Sequence, residues 1–170
     1  IRNNYIGMSA TGFIAGNTLN GIYLNSANHT VGGPTASQRN YISGNTLSGV
    51  YVTGAASSNN LISRNYIGID STGALAKPNT QNGIKIDEWV SGTQITLNSI
   101  AANGLSGIYT ENTSTGTLIY GNTIGLGPTG QILGNGAQGV YALGTVKIGT
   151  ANIDANKNNI GSNVGNGILI

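Results

Sequence analysis

The side chains that could do acid–base chemistry are few and scattered along the chain. There are five acidic residues, and only Asp87 and Glu88 are neighbours. A polysaccharide lyase or hydrolase needs clustered carboxylates, either to bind Ca²⁺ or to act as an acid–base pair. Neighbouring residues of a strand point to opposite faces of a sheet, so this pair would be split between two faces. We therefore predict no catalytic residue in this segment.

Metal and nucleophilic chemistry also lacks the required groups. The single histidine, His29, lies in SANHTVGG, and the chain has no cysteine. Metal sites and catalytic triads bring several such side chains together. Asp70, in IGIDSTG, is replaced by Ser9 and Gly127 in the two matching segments, which indicates a structural loop residue. The sequence therefore predicts no metal site and no cofactor.

The feature most suggestive of binding is a repeated aromatic position. The pattern Gly-(Ile/Val)-x-apolar occurs six times, and x is tyrosine in four copies. If the copies stack, these side chains form a flat aromatic stripe with one cation in it, which could bind sugar rings or simply stabilise the sheet. Trp89 follows the third copy closely. The candidate binding residues are Tyr23, Tyr51, Lys85, Tyr109, Tyr141 and Trp89, and Leu169 occupies the sixth position of the stripe.

A second motif shows which elements would position this stripe. The pattern Ile-x-x-Asn-x-apolar begins at residues 1, 42, 62, 95 and 119, with a weaker copy at Ile153 that contains Asn156. Apolar and polar residues alternate with period two, and Gly and Asn interrupt every few residues, which favours short strands over helices. Repeats of this kind are typical of solenoids. The sequence predicts an all-β, right-handed parallel β-helix with three strands per coil and about six coils.

The repeat also assigns the corners and the interior. Asparagine tolerates the left-handed conformation of a corner, and its amide can bond the equivalent amide one coil away. We therefore predict a structural ladder of Asn45, Asn65, Asn98 and Asn122. The interior should contain three stacks: one of Ile22, Leu24, Val50, Val52, Ile84, Ile86 and Val140; a second of Ile6, Leu47, Ile67, Ile100 and Ile124; and a third of Ile42, Ile62, Ile95 and Ile119.

Long and short coils alternate because one connection varies in length. The long connections begin with IGMSATG after Ile6, IGIDSTG after Ile67 and IGLGPTG after Ile124. Stacked coils rise by about 4.8 Å, so these loops should leave one edge every second coil, about 9.6 Å apart.

Composition excludes several classes of protein. Charged residues make up 7% of the chain, beside 28 Gly and 24 Asn, whereas the 38% apolar fraction is too high for a disordered segment. The seven basic residues are scattered singly, so we predict no nucleic-acid partner. No apolar run approaches the ~18 residues of a membrane span.

Four runs of sequence carry a family resemblance: RNYISGNTLSGVYV from Arg39, NNLISRNYIG from Asn59, RNYIGIDSTG from Arg64 and NGIKI from Asn82. They resemble repeats of large bacterial and archaeal surface proteins in the pectate-lyase-like parallel β-helix superfamily. The resemblance covers essentially the whole chain and implies an extracellular or cell-surface setting. That superfamily includes lyases, hydrolases, adhesins and structural repeats, so the resemblance implies fold more strongly than activity.

Two functional hypotheses follow. The first is an extracellular structural or adhesive surface or filament protein, whose β-helix is a stiff rod that displays loops on alternate coils. The second is a carbohydrate-active or carbohydrate-binding β-helix whose site lies mostly outside residues 1–170. Ile1 and the final GILI both occupy core positions, so we expect this single segment to be a slice of a longer solenoid. Its expected partners are further coils of the same chain or end-to-end copies, with polysaccharide as a further possibility.

Overall fold

In a computed structural model, residues 1–149 and 156–170 are described, and they form 17 short strands and one 3₁₀ turn, Ala36–Gln38. Strands three apart in sequence pair in parallel, so three strands make one coil and successive coils stack. This confirms the predicted parallel β-helix with three strands per coil. The weak repeat start predicted at Ile153 lies outside the described residues, as does Asp154, one of the five acidic residues.

Each coil contributes one strand to each sheet in turn. The first sheet contains β1 (Tyr5–Ile6), β4 (Tyr41–Ile42), β7 (Tyr66–Ile67), β10 (Ser99–Ile100), β13 (Thr123–Ile124) and β16 (Asn159–Ile160). The second contains β2 (Ile22–Leu24), β5 (Val50–Val52), β8 (Ile84–Ile86), β11 (Ile108–Thr110), β14 (Val140–Ala142) and β17 (Ile168–Leu169). The third contains β3 (Thr30–Gly32), β6 (Leu61–Ser63), β9 (Gln94–Thr96), β12 (Thr117–Tyr120) and β15 (Val146–Ile148). We number the coils 1 to 6 from β1, so that β16 and β17 belong to coil 6.

The interior consists of apolar side chains stacked coil on coil. In the four inner strands of the second sheet, the first residues are fully buried and directly in register: Val50, Ile84, Ile108 and Val140. Fully burying an aliphatic side chain of this size stabilises a fold by about 1.5 to 3 kcal/mol, so each repeated isoleucine or valine stabilises the stack of coils. Within the described residues, no helix is long and apolar enough to cross a membrane.

The register of coil 2 differs from the sequence prediction. Ile42 pairs with Ile6 and Ile67 in the first sheet, where Leu47 was expected. Val31 takes the place expected for Ile42 in the third sheet, opposite Ile62. The reason is that Asn-x-apolar occurs twice in NYISGNTL, so the motif fits two adjacent corners equally well.

Two asparagine ladders run the length of the fold, one at each end of the first sheet. The ladder before the strands contains Asn4, Asn40, Asn65, Asn98, Asn122 and Asn158, so Asn40 occupies the place predicted for Asn45. The weak sixth copy contributes Asn158 to it, rather than Asn156. Asn45 belongs to the ladder after the strands, with Asn17, Asn79, Asn103, Asn135 and Asn163.

Hairpins project between the first and second sheets of coils 1, 3 and 5. Each has a short antiparallel bridge at its base: Met8 with Ile14, Ile69 with Ala76, and Leu126 with Ile132. All three follow a strand of the first sheet, which confirms that the loops leave one edge on alternate coils.

Asp70 shapes the hairpin of coil 3. Its carboxylate accepts hydrogen bonds from the Thr72 hydroxyl and from the backbone N–H groups of Ala74 and Leu75. Burial alone would raise the pKa of Asp70, but these hydrogen bonds outweigh it and lower the pKa below its usual value. This position of the hairpin is therefore structural.

Candidate functional site

The aromatic stripe lies on the outer face of the second sheet. In coils 1 to 5 its residues occupy the middle position of their strands, and the residues on either side of each point into the core; in coil 6 the position is the last residue of β17. Strand pairing places Tyr23, Tyr51, Lys85, Tyr109, Tyr141 and Leu169 in one continuous row. We call this row the tyrosine stripe.

Lys85 divides the tyrosine stripe into two aromatic pairs. The ring centroids of Tyr23 and Tyr51 are 5.6 Å apart, and those of Tyr109 and Tyr141 are 5.4 Å apart, both in edge-to-face arrangements. The Lys85 ammonium lies 5.3 Å from the Tyr51 centroid and 5.9 Å from the Tyr109 centroid. Edge-to-face pairs and cation–π contacts of this geometry hold the side chains in fixed positions.

Two carboxylates flank the Lys85 ammonium, and each stands two residues after the stripe position of its coil. The Lys85 Nζ atom lies 3.5 Å from Asp87 Oδ1 and 3.7 Å from Glu111 Oε1. The Thr53 hydroxyl donates to Asp87 Oδ2 over 3.0 Å, and the Tyr51 hydroxyl donates to the same oxygen. These groups form one polar network that spans coils 2 to 4.

The network sets the protonation of its members. Burial would raise the pKa of Asp87, but the hydrogen bonds from Tyr51 and Thr53 and the Lys85 charge lower it. Burial and the bond to Asp87 raise the pKa of Tyr51. Burial, followed by hydrogen bonding to Glu111, raises the pKa of Tyr109 to about 12. At neutral pH the Asp87 carboxylate is therefore charged and both tyrosine hydroxyls keep their protons.

A shallow groove runs beside the tyrosine stripe. One part has a volume of about 340 Å³, and a neighbouring part has a volume of about 190 Å³. Both parts are lined by Gln81 and Lys85, so the groove continues from one to the other along the coil axis. Its walls combine aromatic faces with amide and hydroxyl groups, among them Asn82, Ser106, Tyr109, Gln138 and Tyr141.

Two of the candidate binding residues, Tyr23 and Trp89, line neither part of the groove. Trp89 is exposed in the turn after β8 and lines neither part of the groove; its backbone N–H donates to the Thr113 hydroxyl. Glu88 is exposed, whereas Asp87 is half-buried against Lys85; both follow β8 rather than lying in a strand. His29 bonds only Ser26 through its ring, and within residues 1–149 and 156–170 no three His, Cys, Asp or Glu residues form a possible metal site.

Sequence reasoning missed two features of the surface. Glu111 occupies the position that Asp87 occupies one coil earlier, directly after Gly-(Ile/Val)-x-apolar, and this shared position was the available signal. A second aromatic row, Tyr5, Tyr41 and Tyr66, lies on the first sheet, with centroid spacings of 4.8 and 5.7 Å. The tripeptide Asn-Tyr-Ile, present three times, marks this row in the sequence.

The groove combines aromatic faces, amides, hydroxyls and one cation held between carboxylates. No protein-family model, curated protein or solved structure matches this chain. The Asp87 carboxylate forms an ion pair with Lys85 and accepts hydrogen bonds from Tyr51 and Thr53. With three partners already bound, it is poorly placed to accept a proton from a substrate. The arrangement suits the binding of a polyhydroxylated molecule better than proton transfer.

Proposed function

We propose that this chain is part of an extracellular structural or adhesive protein, in which the β-helix is a stiff rod that displays hairpins on alternate coils. The observation that carries the proposal is the pair of asparagine ladders, each continuous through all six coils. Each coil contacts only its neighbours, so rigidity depends on how well adjacent coils are bonded. Six coils at about 4.8 Å each make a rod segment of roughly 25 to 30 Å.

The extracellular setting is supported by the resemblance to surface-protein repeats of the pectate-lyase-like superfamily. The regular hairpins add a second argument, because a rod that repeats the same projection every second coil presents many equivalent contacts. Weak contacts multiplied in this way give strong attachment through effective concentration. This is the property that an adhesive or structural surface protein needs.

Localisation tests the proposal directly. An antibody raised against residues 1–170 should label intact, unpermeabilised cells of the source organism, and external protease should remove the label. An antibody against a cytoplasmic enzyme is the control, and it should label only permeabilised cells. Labelling that requires permeabilisation would contradict the extracellular assignment.

The groove beside the tyrosine stripe favours a second candidate function, carbohydrate binding. Flat rings with amide and hydroxyl groups beside them match the apolar faces and hydroxyl edges of sugars, and the groove extends along the coil axis as a linear oligosaccharide would. Polysaccharide cleavage is the weaker form of this candidate, because Asp87 is engaged by Lys85, Tyr51 and Thr53.

Replacing Tyr109 by alanine should reduce the affinity for an oligosaccharide about tenfold, because it removes one wall of the groove and one half of an aromatic pair. Titration calorimetry with oligosaccharides from pectin, alginate and β-glucan gives the measurement. Tyr5→Ala is the matched control, since Tyr5 lies on the first sheet outside the groove. Equal losses in the two variants, or no binding of any of the three sugars, would count against this candidate.

A further inference from the structure

The groove beside the tyrosine stripe has different hydrogen-bonding groups at the two ends of the strands of the second sheet. Asn82 and Gln138 line it from positions just before β8 and β14, and Asn20 lines it from a position just before β2. Glu111 lines it from the position directly after β11. What the groove can bind therefore depends on which atoms of these amides and of this carboxylate are free.

The amides leave their N–H groups free. Asn82 Oδ1 accepts from the backbone N–H of Ser106 over 3.1 Å, and Gln138 Oε1 accepts from the Ser106 hydroxyl over 3.2 Å. A backbone N–H can only donate, so the bonded atom of Asn82 is its oxygen. Within the described residues, neither Asn82 Nδ2 nor Gln138 Nε2 donates to another protein group. Both amides can therefore donate to a ligand.

The carboxylate has acceptor capacity left. Glu111 Oε1 lies 3.7 Å from Lys85 Nζ, and Tyr109 is hydrogen-bonded to the same carboxylate. An ionised carboxylate can accept about four hydrogen bonds, so Glu111 can also accept from a ligand hydroxyl. Donors at one end of the strands and an acceptor at the other suit sugar hydroxyls, because each hydroxyl both donates and accepts.

The groove has more negative than positive charge. Among the described residues that line its two parts, Lys85 is the one with a positive charge. Its ammonium lies between Asp87 and Glu111, so one positive charge faces two carboxylates. An acidic sugar would bring a further carboxylate to a lysine that is already paired, and like charges brought together at an interface weaken binding. The groove therefore disfavours acidic sugars.

The amides recur with a regular spacing along the coil axis. Directly before the glycine of Gly-(Ile/Val)-x-apolar, coils 1, 3 and 5 have Asn20, Asn82 and Gln138, whereas coils 2 and 4 have Ser48 and Ser106. Two coils rise by about 9.6 Å, which is close to the length of one disaccharide in an extended β-linked glycan. A glycan that lies along the axis would meet an equivalent amide at every second sugar.

We propose that the groove binds an uncharged glycan with extended β linkages, with one disaccharide for every two coils. The inference rests on the second candidate function, carbohydrate binding, and names the class of ligand. The amide N–H groups of Asn82 and Gln138 donate to sugar oxygens, and Glu111 accepts from a sugar hydroxyl. The rings of Tyr109 and Tyr141 contact the apolar face of the sugar.

Two ligands that differ only in charge test this preference. The hexasaccharides of β-1,4-linked glucose and of β-1,4-linked glucuronate have the same linkage, and the second has a carboxylate on every sugar. Titration calorimetry at low ionic strength, where charges are least screened, should give an affinity at least about tenfold higher for the glucose hexasaccharide. Equal affinities, or tighter binding of the glucuronate, would overturn the inference.

Removing one carboxylate should relax the preference. Glu111→Gln keeps an oxygen acceptor in the groove but leaves Lys85 with one carboxylate instead of two. The ratio of the glucuronate affinity to the glucose affinity should therefore rise about tenfold. Glu88→Gln is the matched control, because it changes the net charge equally and Glu88 is exposed outside the groove. The same rise in both variants would contradict a preference set by the groove.

The spacing has its own test. The α-1,4-linked glucose hexasaccharide has the same composition but a coiled shape, so it cannot reach Asn82 and Gln138 together. It should bind at least about fivefold more weakly than the β-1,4-linked form, and equal affinities would refute the extended geometry. Failure to bind any of the three hexasaccharides would refute carbohydrate binding itself, whereas equal binding of glucose and glucuronate would refute only the ligand class.

Discussion

Replacing Asn98 by alanine should lower the free energy of unfolding by at least about 3 kcal/mol. Asn98 is 1% exposed and lies in the middle of its ladder. Its Oδ1 accepts from the backbone N–H and the Nδ2 of Asn65, over 2.8 and 3.0 Å. Its Nδ2 donates to Ile62 O over 2.9 Å and to Asn122 Oδ1 over 3.0 Å. One truncation therefore removes four hydrogen bonds from a buried corner.

The effect is large because the partners remain buried after the truncation. The change leaves the buried Asn65 backbone N–H without its acceptor, which costs about 1 to 3 kcal/mol. It also removes one hydrogen bond each from Asn65 Nδ2, Ile62 O and Asn122 Oδ1, and each such bond contributes about 0.5 to 1.5 kcal/mol. Asn112→Ala is the control, since Asn112 is exposed on the surface, and its effect should stay within about 0.5 kcal/mol. Equilibrium denaturation in urea compares the two variants. Similar midpoints would mean that the ladders contribute little to stability.

The sequence contains most of the information that determines the strands. Period-two alternation places Ile84 and Ile86 inward and Lys85 outward, and the structure has this arrangement. The in-register tyrosine stripe follows from the same pattern, because equivalent residues of successive coils must stack. The binding role of its tyrosines, of Lys85 and of Trp89 stays a prediction.

The corners were harder to predict, because two of them use the same residue type. Asn40 and Asn45 both stand two residues before an apolar side chain, so local sequence does not distinguish their ladders. A longer signal does: Asn17, Asn45, Asn79, Asn103, Asn135 and Asn163 each stand four residues before the glycine of Gly-(Ile/Val)-x-apolar. The ion pair between Lys85 and Glu111 joins residues at different positions of the repeat. Such a contact depends on the side-chain conformations of both residues, and the repeat pattern gives only the positions of the strands.

The glycine of Gly-(Ile/Val)-x-apolar provides a test of how tightly adjacent coils pack, because an alanine there needs space but no change in backbone conformation. A Cβ placed on Gly107 would lie 2.7 Å from Gly139 O, 2.7 Å from Ile124 Cγ2 and 2.9 Å from Asn135 Nδ2. The neighbours are the backbone of the next coil, a core side chain and a ladder amide, and none can move without displacing others. At Gly167, in the same position of coil 6, the nearest atom is Ile160 Cγ2 at 3.7 Å.

In a polypeptide limited to residues 1–170, Gly107→Ala should therefore destabilise the fold by about 3 kcal/mol, whereas Gly167→Ala should change the free energy of unfolding by less than about 0.5 kcal/mol. Neither glycine has the positive φ that would strain an alanine, so the difference measures space alone. Urea denaturation gives both values. Equal effects would mean that adjacent coils can separate to admit a methyl group, and a rod whose coils separate so easily would lack the stiffness that its proposed function requires.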